Sequence, residues 1–475
     1  MSFVAAVDLG ATSGRVIVFG LDDSGITSDE IHRFTNQTKW VNERLVWDFQ
    51  HLFQETVIGL TKAREKYKLV SSGVDSWAVD YGVINKDNQL LGPVYAYRDP
   101  QHDVGMAEFY TRMTWPEHYS IAGIQKIALN TVYQLTGEAG SKRLSEGYKV
   151  LLVPDLIANQ ATGHVGCEVT NASHTAMLDA RTHQWSPEVV KAALLPPHLL
   201  ADVIQPGTAL GNWQEPNMRD LPLVSVASHD TGSAFVAVPF NASRPSCVVN
   251  LGTWALIGTE LPGPILTDES REANFTNEIG YGSTTRYLKN VTGMWILEQI
   301  RAEMLDGGQQ PEIETLLAEM QGAKPFASHI NPDDPIFGPP GEMVERIKHN
   351  AAGAVPETRG EIVRCILESL VARVAQRVAL LGNLTNRSYQ EIVVVGGGSR
   401  MGIVCQWLAD ATQMSVVTGP TEATALGNAL VQWLSNGDLA SLIEGRDLVK
   451  SFSNSKHDSP KQSPETWLPL IGAYA

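Results

Sequence analysis

Ala5-Ala6-Val7-Asp8-Leu9-Gly10-Ala11-Thr12-Ser13-Gly14-Arg15-Val16-Ile17-Val18-Phe19 joins two apolar runs through a bend made of Gly, Ala, Thr, Ser and Gly, the pattern of a β-hairpin with an unusually small-residue turn. A bend without bulky side chains lets its backbone N–H groups converge on an anion, as they do in phosphate nests. Asp8 closes the first run and sets a carboxylate beside that anion site, where a bound cation such as Mg²⁺ reconciles the two like charges. Arg15 follows as a further counter-charge. On this stretch alone an ordinary hairpin with a solvated Asp reads equally well.

A second copy tips the balance. Val248-Val249-Asn250-Leu251-Gly252-Thr253-Trp254-Ala255-Leu256-Ile257-Gly258 repeats the plan, with Val249-Asn250-Leu251-Gly252-Thr253 lying over Val7-Asp8-Leu9-Gly10-Ala11. Two halves of similar length, each opening on a strand that runs into a Leu-Gly bend, imply a duplicated domain with a phosphate-holding turn in each. The expected division is 1–240 and 241–475.

A chain of 475 residues, 43% of them hydrophobic, buries a large core and is long enough for more than one domain. A formal net charge of −16 argues against a nucleic-acid footprint and fits an ordinary acidic enzyme. Cys167, Cys247, Cys365 and Cys405 are far apart and form none of the close pairs of metal knuckles or redox motifs, so they read as buried or partly buried thiols of a reducing compartment. The first strand begins within a few residues of Met1, and no apolar run reaches the roughly 18 residues of a membrane span. The expected location is therefore cytoplasmic, with neither nucleic acid nor membrane as a partner; oligomeric state is not readable.

After the hairpin, 27–34 reads as a third strand, 47–67 as a helix with Leu52, Thr56, Val57, Leu60, Ala63 and Tyr67 at helical spacing, and 70–75 as a further strand. Gly73-Val74-Asp75-Ser76-Trp77-Ala78-Val79-Asp80-Tyr81-Gly82 then sets carboxylates beside aromatics, which suits a polyhydroxylated ligand and suits equally a hairpin with Asp at its turn. From about 93 to 222 the pattern loosens. This reads as an insertion walling a substrate pocket, with Tyr97-Arg98-Asp99 and 125–135 (Asn130, Tyr133, Gln134) as polar groups that face a ligand.

Leu223-Val224-Ser225-Val226-Ala227-Ser228-His229-Asp230-Thr231-Gly232-Ser233-Ala234 is sharper: a strand ends at Asp230 near a helix amino end, a common place for ligand-facing groups. Consecutive Ser228-His229-Asp230 cannot converge as a relay triad. In the second half, 287–295 leads into a helix to about 304, and 361–381 carries one wide apolar stripe. Ile392-Val393-Val394-Val395 then enters Gly396-Gly397-Gly398-Ser399, a β-loop-α unit whose glycines admit a ligand against the backbone. Neither G-x-G-x-x-G nor G-x-x-x-x-G-K-[ST] spacing occurs. A small-residue helix starts at Glu422, and the tail after Lys450 is uninformative.

Asp8-x-Gly10-x-Thr12-x-x-Arg15, Leu251-Gly252-Thr253 and Gly396-Gly397-Gly398, in this order, resemble the two phosphate motifs and the adenosine motif of the actin, Hsp70 and sugar-kinase superfamily. Over essentially its whole length the chain resembles the FGGY carbohydrate kinases. Within them it is most similar to the members that phosphorylate L-rhamnulose, through 7–16, Glu30-Ile31-His32-Arg33-Phe34, 96–99, 130–135, Thr170-Asn171-Ala172-Ser173, 226–231 and Leu288-Lys289-Asn290.

The resemblance implies an α/β fold of two duplicated ribonuclease H-like, actin-like ATPase domains with a cleft between them, the amino-terminal one carrying the sugar-binding insertion and the carboxy-terminal one the adenosine elements. It implies ATP and Mg²⁺ as cofactors and a small ketose as substrate. Ala11, Thr12, Ser13, Gly14, Arg15, Thr253 and Gly397 are then the ATP contacts. Ala78, His229, Asp230, Thr231 and Asn290 hold the ketose, Asp230 is the general base, and Asp8 holds Mg²⁺ directly or through water.

Two positions depart from the family pattern, which has Gly at Ala78 and Gln at Glu298; the Glu298 nucleotide contact is not carried over. The implied reaction is transfer of the γ-phosphoryl group of ATP to a ketose hydroxyl, O1 of L-rhamnulose. The rivals are a kinase for another ketose, such as L-fuculose or xylulose, and a non-metabolic actin- or Hsp70-like ATPase.

Overall fold

The computed structural model describes residues 1–240 and 244–474. It divides into two compact units: Met1–Val238 with Glu260–Tyr287 and Glu422–Phe452, and Pro239–Thr259 with Leu288–Thr421 and Ser453–Ala475. Two segments beyond residue 240, 260–287 and 422–452, thus pack with the first unit.

The hairpins form as their sequences predict. Strand Ser2–Leu9 pairs antiparallel with Ser13–Asp22, Asp8 facing Arg15 and Leu9 facing Gly14, and the bend is closed by Gly10 N–H donating to Ser13 O at 2.9 Å. In the second unit Ser246–Leu251 pairs with Trp254–Leu261, Leu251 facing Ala255.

The sheets repeat one plan. In the first, the order is Ala209–Asn212, Pro222–Val224, Leu69–Ser76, Ser2–Leu9, Ser13–Asp22 and Gly25–Thr35. In the second, His457–Asp458, Ser415–Thr418, Glu391–Val395, Ser246–Leu251, Trp254–Leu261 and Thr285–Thr292 follow in the same order, with a seventh strand, Thr276–Ile279, added at the far edge. The first five strands of each series match in sense as well: the second to fourth are mutually parallel, and the first and fifth pair antiparallel with their neighbours. The α/β class and the duplication are therefore both present.

A long helix precedes the parallel partner strand in each unit. Phe49–Lys66 starts where the Asp48 side chain accepts His51 N–H. Arg359–Thr385 starts at a reciprocal box of Thr358 and Glu361 and buries Ile362, Ile366, Leu370 and Val374, satisfying orphan N–H groups at its amino end. Helix Ala423–Asn436 lies against the first sheet and is tied to it by side chains: Gln432 Nε2 donates to Ala5 O (3.0 Å), and Asn428 Nδ2 donates to Asp75 Oδ2 (2.6 Å). At Gly427 it meets helix Asp230–Ala237 so closely that a Cβ would sit 1.8 Å from Ser233 O.

The loosely patterned insertion is tightly packed. Phe109, Val132, Tyr133, Leu151 and Val169 are wholly buried, because its short helices share one core with the first sheet rather than each showing a clean apolar stripe. The tail after Lys450 is likewise structured: Trp467 is buried against Phe326 and Trp407 in the second unit. All four cysteines are free and buried. No described helix is long and apolar enough to cross a membrane.

Candidate active site

The carboxyl ends of parallel strands are where open α/β sheets bind ligands, and here they collect acids. Asp8 and Asp75 are direct partners in register, and Ser76 bridges in parallel to His229, which brings Asp230 beside them. Arg15 Nε and Nη2 both donate to Asp8 Oδ2, at 2.9 and 2.7 Å, and Arg15 also pairs with Glu422. Asp75 is wholly buried; its Oδ2 accepts from Asn428, while its Oδ1 has no hydrogen-bond partner. Burial, then the charge of Asp8, pushes its carboxyl well above the usual range. An orphaned, buried carboxylate oxygen next to a second carboxylate is a donor set that fits a hard divalent cation such as Mg²⁺.

Asp230 is the first residue of helix Asp230–Ala237, and His229 occupies the cap position. Its Oδ1 accepts Thr231 N–H and the Thr231 hydroxyl (3.1 Å) and lies 3.2 Å from His229 Nε2. Solvent reaches 34% of the side chain. The surrounding wall, and then Asp8, still push the carboxyl up to about 6. Ser228 turns away from His229 and donates its hydroxyl to Glu168 Oε2 at 2.8 Å, so the rejected triad is absent in space as well.

Ala78 sits one residue before Val79, whose φ of 73° is a left-handed conformation rarely taken by a β-branched residue. The carbonyl of Val79 is clamped by the Thr131 hydroxyl (2.7 Å) and Gln134 Nε2 (3.3 Å). Asp80 answers the question its sequence left open. Its Oδ2 accepts from Trp47 Nε1, Trp77 Nε1 and Tyr97 N–H, and Gln134 Nε2 reaches its Oδ1. It is a buried anchor, raised by burial to about 7. Asn130, Tyr133 and Gln134, expected to face a ligand, are all buried: Gln134 belongs to this support, Asn130 Nδ2 donates to Gln125 O, and the Tyr133 and Tyr110 hydroxyls pair. Asp99 likewise holds Arg44 Nε and Leu45 N–H.

In the second unit the Gly loop folds onto the bend strand. A Cβ at Gly396, where φ is +80°, would lie 2.3 Å from Asn250 Oδ1, and one at Gly398 2.4 Å from Leu251 Cβ; at Gly397 it would meet nothing within 4 Å. Gly397 is thus the position left facing outward. The carbonyls of Gly252 and Thr253 accept from Met294 and Trp295 N–H at the start of helix Trp295–Glu303. Thr253 Oγ1 donates to Glu298 Oε2 at 3.4 Å. Asn290 lies on strand Thr285–Thr292. The sequence-predicted residues therefore fall into two sets: 8, 11–15, 78 and 229–231 in the first unit, and 253, 290 and 397 in the second.

Models of the FGGY family of carbohydrate kinases match both halves, the N-terminal domain at residues 3–237 and the C-terminal domain at 247–435. The chain belongs to the FGGY family of carbohydrate kinases. This FGGY kinase is 38% identical over 456 residues to a rhamnulokinase of Bacteroides thetaiotaomicron, covering 94% of this chain and 93% of the relative. It is 32% identical over 465 residues to one of Bacillus subtilis, covering 96% and 95%. A ligand-bound xylulose kinase from Lactobacillus acidophilus shares its fold with a TM-score of 0.83 at 16% identity, covering all of this chain and 97% of the other. Plasmodium falciparum glycerol kinase with ADP gives 0.81 at 14%, with the same coverage.

Sequence reasoning missed the polar groups behind Asp230 in the FGGY kinase. Glu168, itself buried, accepts Thr170 N–H and hydroxyl, Asn171 N–H, and Ser228 N–H and hydroxyl, pinning the strand end that carries His229. Glu278 and Arg286 lie wholly buried on strands Thr276–Ile279 and Thr285–Thr292. The available signal was a charge inside short β-patterned runs, Thr276-Asn277-Glu278-Ile279 and Thr285-Arg286-Tyr287-Leu288, where an ionised side chain needs a partner.

Proposed function

We propose that this kinase transfers the γ-phosphoryl group of ATP to O1 of L-rhamnulose, giving L-rhamnulose 1-phosphate and ADP. The sugar assignment is carried by full-length similarity, at 32–38% identity, to rhamnulokinases. Phosphoryl transfer asks a protein mainly to position and neutralise, and the two small-residue bends suit that task. Residues 11–15, Thr253 and Gly397 bind the nucleotide. Ala78, His229, Thr231 and Asn290 hold the ketose. Asp230 Oδ2 takes the proton of the sugar hydroxyl as its oxygen attacks phosphorus and the bond to the ADP oxygen breaks. Mg²⁺ held by Asp8 and Asp75, directly or through water, supplies charge neutralisation on the phosphate oxygens when bound.

A base must be ionised to act. With the Asp230 carboxyl at about 6, kcat/KM falls roughly tenfold per pH unit on the acid side of that value and is flat above it. Asp230→Asn removes this limb and lowers kcat by about 10²–10⁴-fold while ATP affinity by calorimetry is retained; near-normal turnover would remove Asp230 from the role. Turnover across L-rhamnulose, L-fuculose and D-xylulose, with the product's phosphate position read by ³¹P NMR, tests the sugar. Preference for a ketose other than L-rhamnulose overturns that assignment and leaves the kinase class intact.

A further inference from the structure

Behind Asp230 the first unit buries His174, His229, Glu278 and Arg286; His174 Nδ1 and both Glu278 oxygens have no hydrogen-bond partner among the described residues, and Glu278 Oε2, 3.6 Å from His229 Nδ1, is beyond hydrogen-bond reach of it, so the hydrogen bonds at that nitrogen are those of Arg286. His174, His229 and Glu278 offer ligand atoms all within 4.8 Å of one another, which on its own invites a metal ion. A cation of the protein's own already fills that place. Arg286 Nη1 lies 3.0 Å from Glu278 Oε2, and both Nη1 and Nη2 donate to His229 Nδ1 at 3.3 Å. The guanidinium is held in turn, Nε donating to Ile279 O and Nη2 to Thr170 O. His174 Nε2 contacts Glu278 Oε1 at 3.0 Å, and the two imidazoles meet edge to face.

A guanidinium only donates. The Nδ1 atom of His229 must therefore be the acceptor, and in a neutral imidazole the proton then resides on Nε2. That N–H faces Asp230 Oδ1, 3.2 Å away, where Thr231 also donates twice. Oδ1 is thus surrounded by donors, whereas Oδ2 has no hydrogen-bond partner among the described residues. We propose that Arg286 and Glu278 are positioning residues that lock His229 as the Nε2–H tautomer, so that His229 orients Asp230 through Oδ1 and leaves Oδ2 as the single basic site for the ketose proton.

The inference rests on the proposed role of Asp230. It also denies His229 any role as a base, because its one lone pair is spent on Arg286. Charges around the ring agree: burial, then Arg286 and His174, push the imidazolium form of His229 well out of reach. Burial alone would raise the Glu278 carboxyl, but His174 and Arg286 pull it down to about 2 and keep it ionised against Arg286.

The direct test is ¹⁵N NMR on the full chain labelled at histidine, with His229→Gln used only to assign the ring signals. The expected result is an imine-type Nδ1 and a pyrrole-type Nε2 for His229, unchanged between roughly pH 5 and 8. A protonated Nδ1, or an imidazolium titrating in that window, overturns the inference. A second arm replaces the ion pair as a pair, Arg286→Met with Glu278→Gln, to avoid stranding a buried charge. The double variant should lose about 10–100-fold in kcat, the range found for partners one shell out, with KM for ATP within about twofold, a tautomerically mixed His229 spectrum, and partial rescue by Arg286→Lys with Glu278 intact. Unchanged kcat in a folded double variant overturns the role. The spectrum of the unaltered protein decides alone where that variant does not fold. Absence of L-rhamnulose turnover beside the expected spectrum overturns only the sugar assignment.

Discussion

Gly397 has no neighbour within 4 Å of where a side chain would begin, while Gly396 and Gly398 on either side are pressed against Asn250 and Leu251. A methyl group at the middle position therefore costs the fold little and meets only what the loop binds. Gly397→Ala should leave the melting temperature unchanged and raise KM for ATP at least about fivefold, equivalent to the roughly 1 kcal/mol at the low end of overpacking costs; initial rates over an ATP series check it. An equal loss of stability would place the methyl in the core instead. The residue scale also shows what sequence made legible. The place of Asp230 at a helix start was readable because a β-branched strand runs into an acid there. Asp80 was not, because Trp47, Tyr97 and Gln134, which turn it from a ligand acceptor into a buried anchor, come from distant segments. Glu278 and Arg286 each showed only as a charge inside a β-patterned run; that they pair across two strands has no local signature.

The helix that carries Asp230 is held in place by one other helix more than by its own cap. Ala423–Asn436 lies against it at Gly427, with Ser233 O in the space a Cβ would need. Gly427→Val forces the two helices apart, and both backbones resist. The expected outcome is a loss of about 3 kcal/mol or more in chemical denaturation, at the upper end of overpacking costs, with kcat reduced in whatever fraction folds. Unaltered stability would show that the crossing can widen freely. Element existence was readable where the local signal is long or repeated: the apolar run of Arg359–Thr385 and the two hairpins appear where expected. Between 93 and 222 the helices are buried on several sides, which erases the 3.6-residue rhythm, and the order in that region emerges only from its shared core.

Across the whole molecule, strand order is the deepest record of duplication, since two series agree in sequence of neighbours and in sense. Only the bends announced it beforehand; pairing partners far apart in the chain could not be read from periodicity. Stability should carry a pH signature of the first unit's buried acids. Burial raises Asp80 to about 7, and burial followed by the nearby Glu168 charge raises Asp155 to about 8. Each binds its proton more tightly folded than unfolded, so its contribution is complete below the ordinary carboxylate range and is lost as pH climbs through those values. Melting temperature should therefore decline between about pH 4 and 8, and Asp155→Asn, a permanently neutral mimic, should flatten that slope.

The four buried thiols are shared unequally, Cys167 in the first unit and Cys247, Cys365 and Cys405 in the second. An alkylating reagent applied under mild denaturant becomes a chemical clock for partial opening. Adducts on Cys167 ahead of the others would mean that the first unit loosens first, and the reverse order that the second does. Simultaneous modification at all four positions would mark a chain whose halves melt as one.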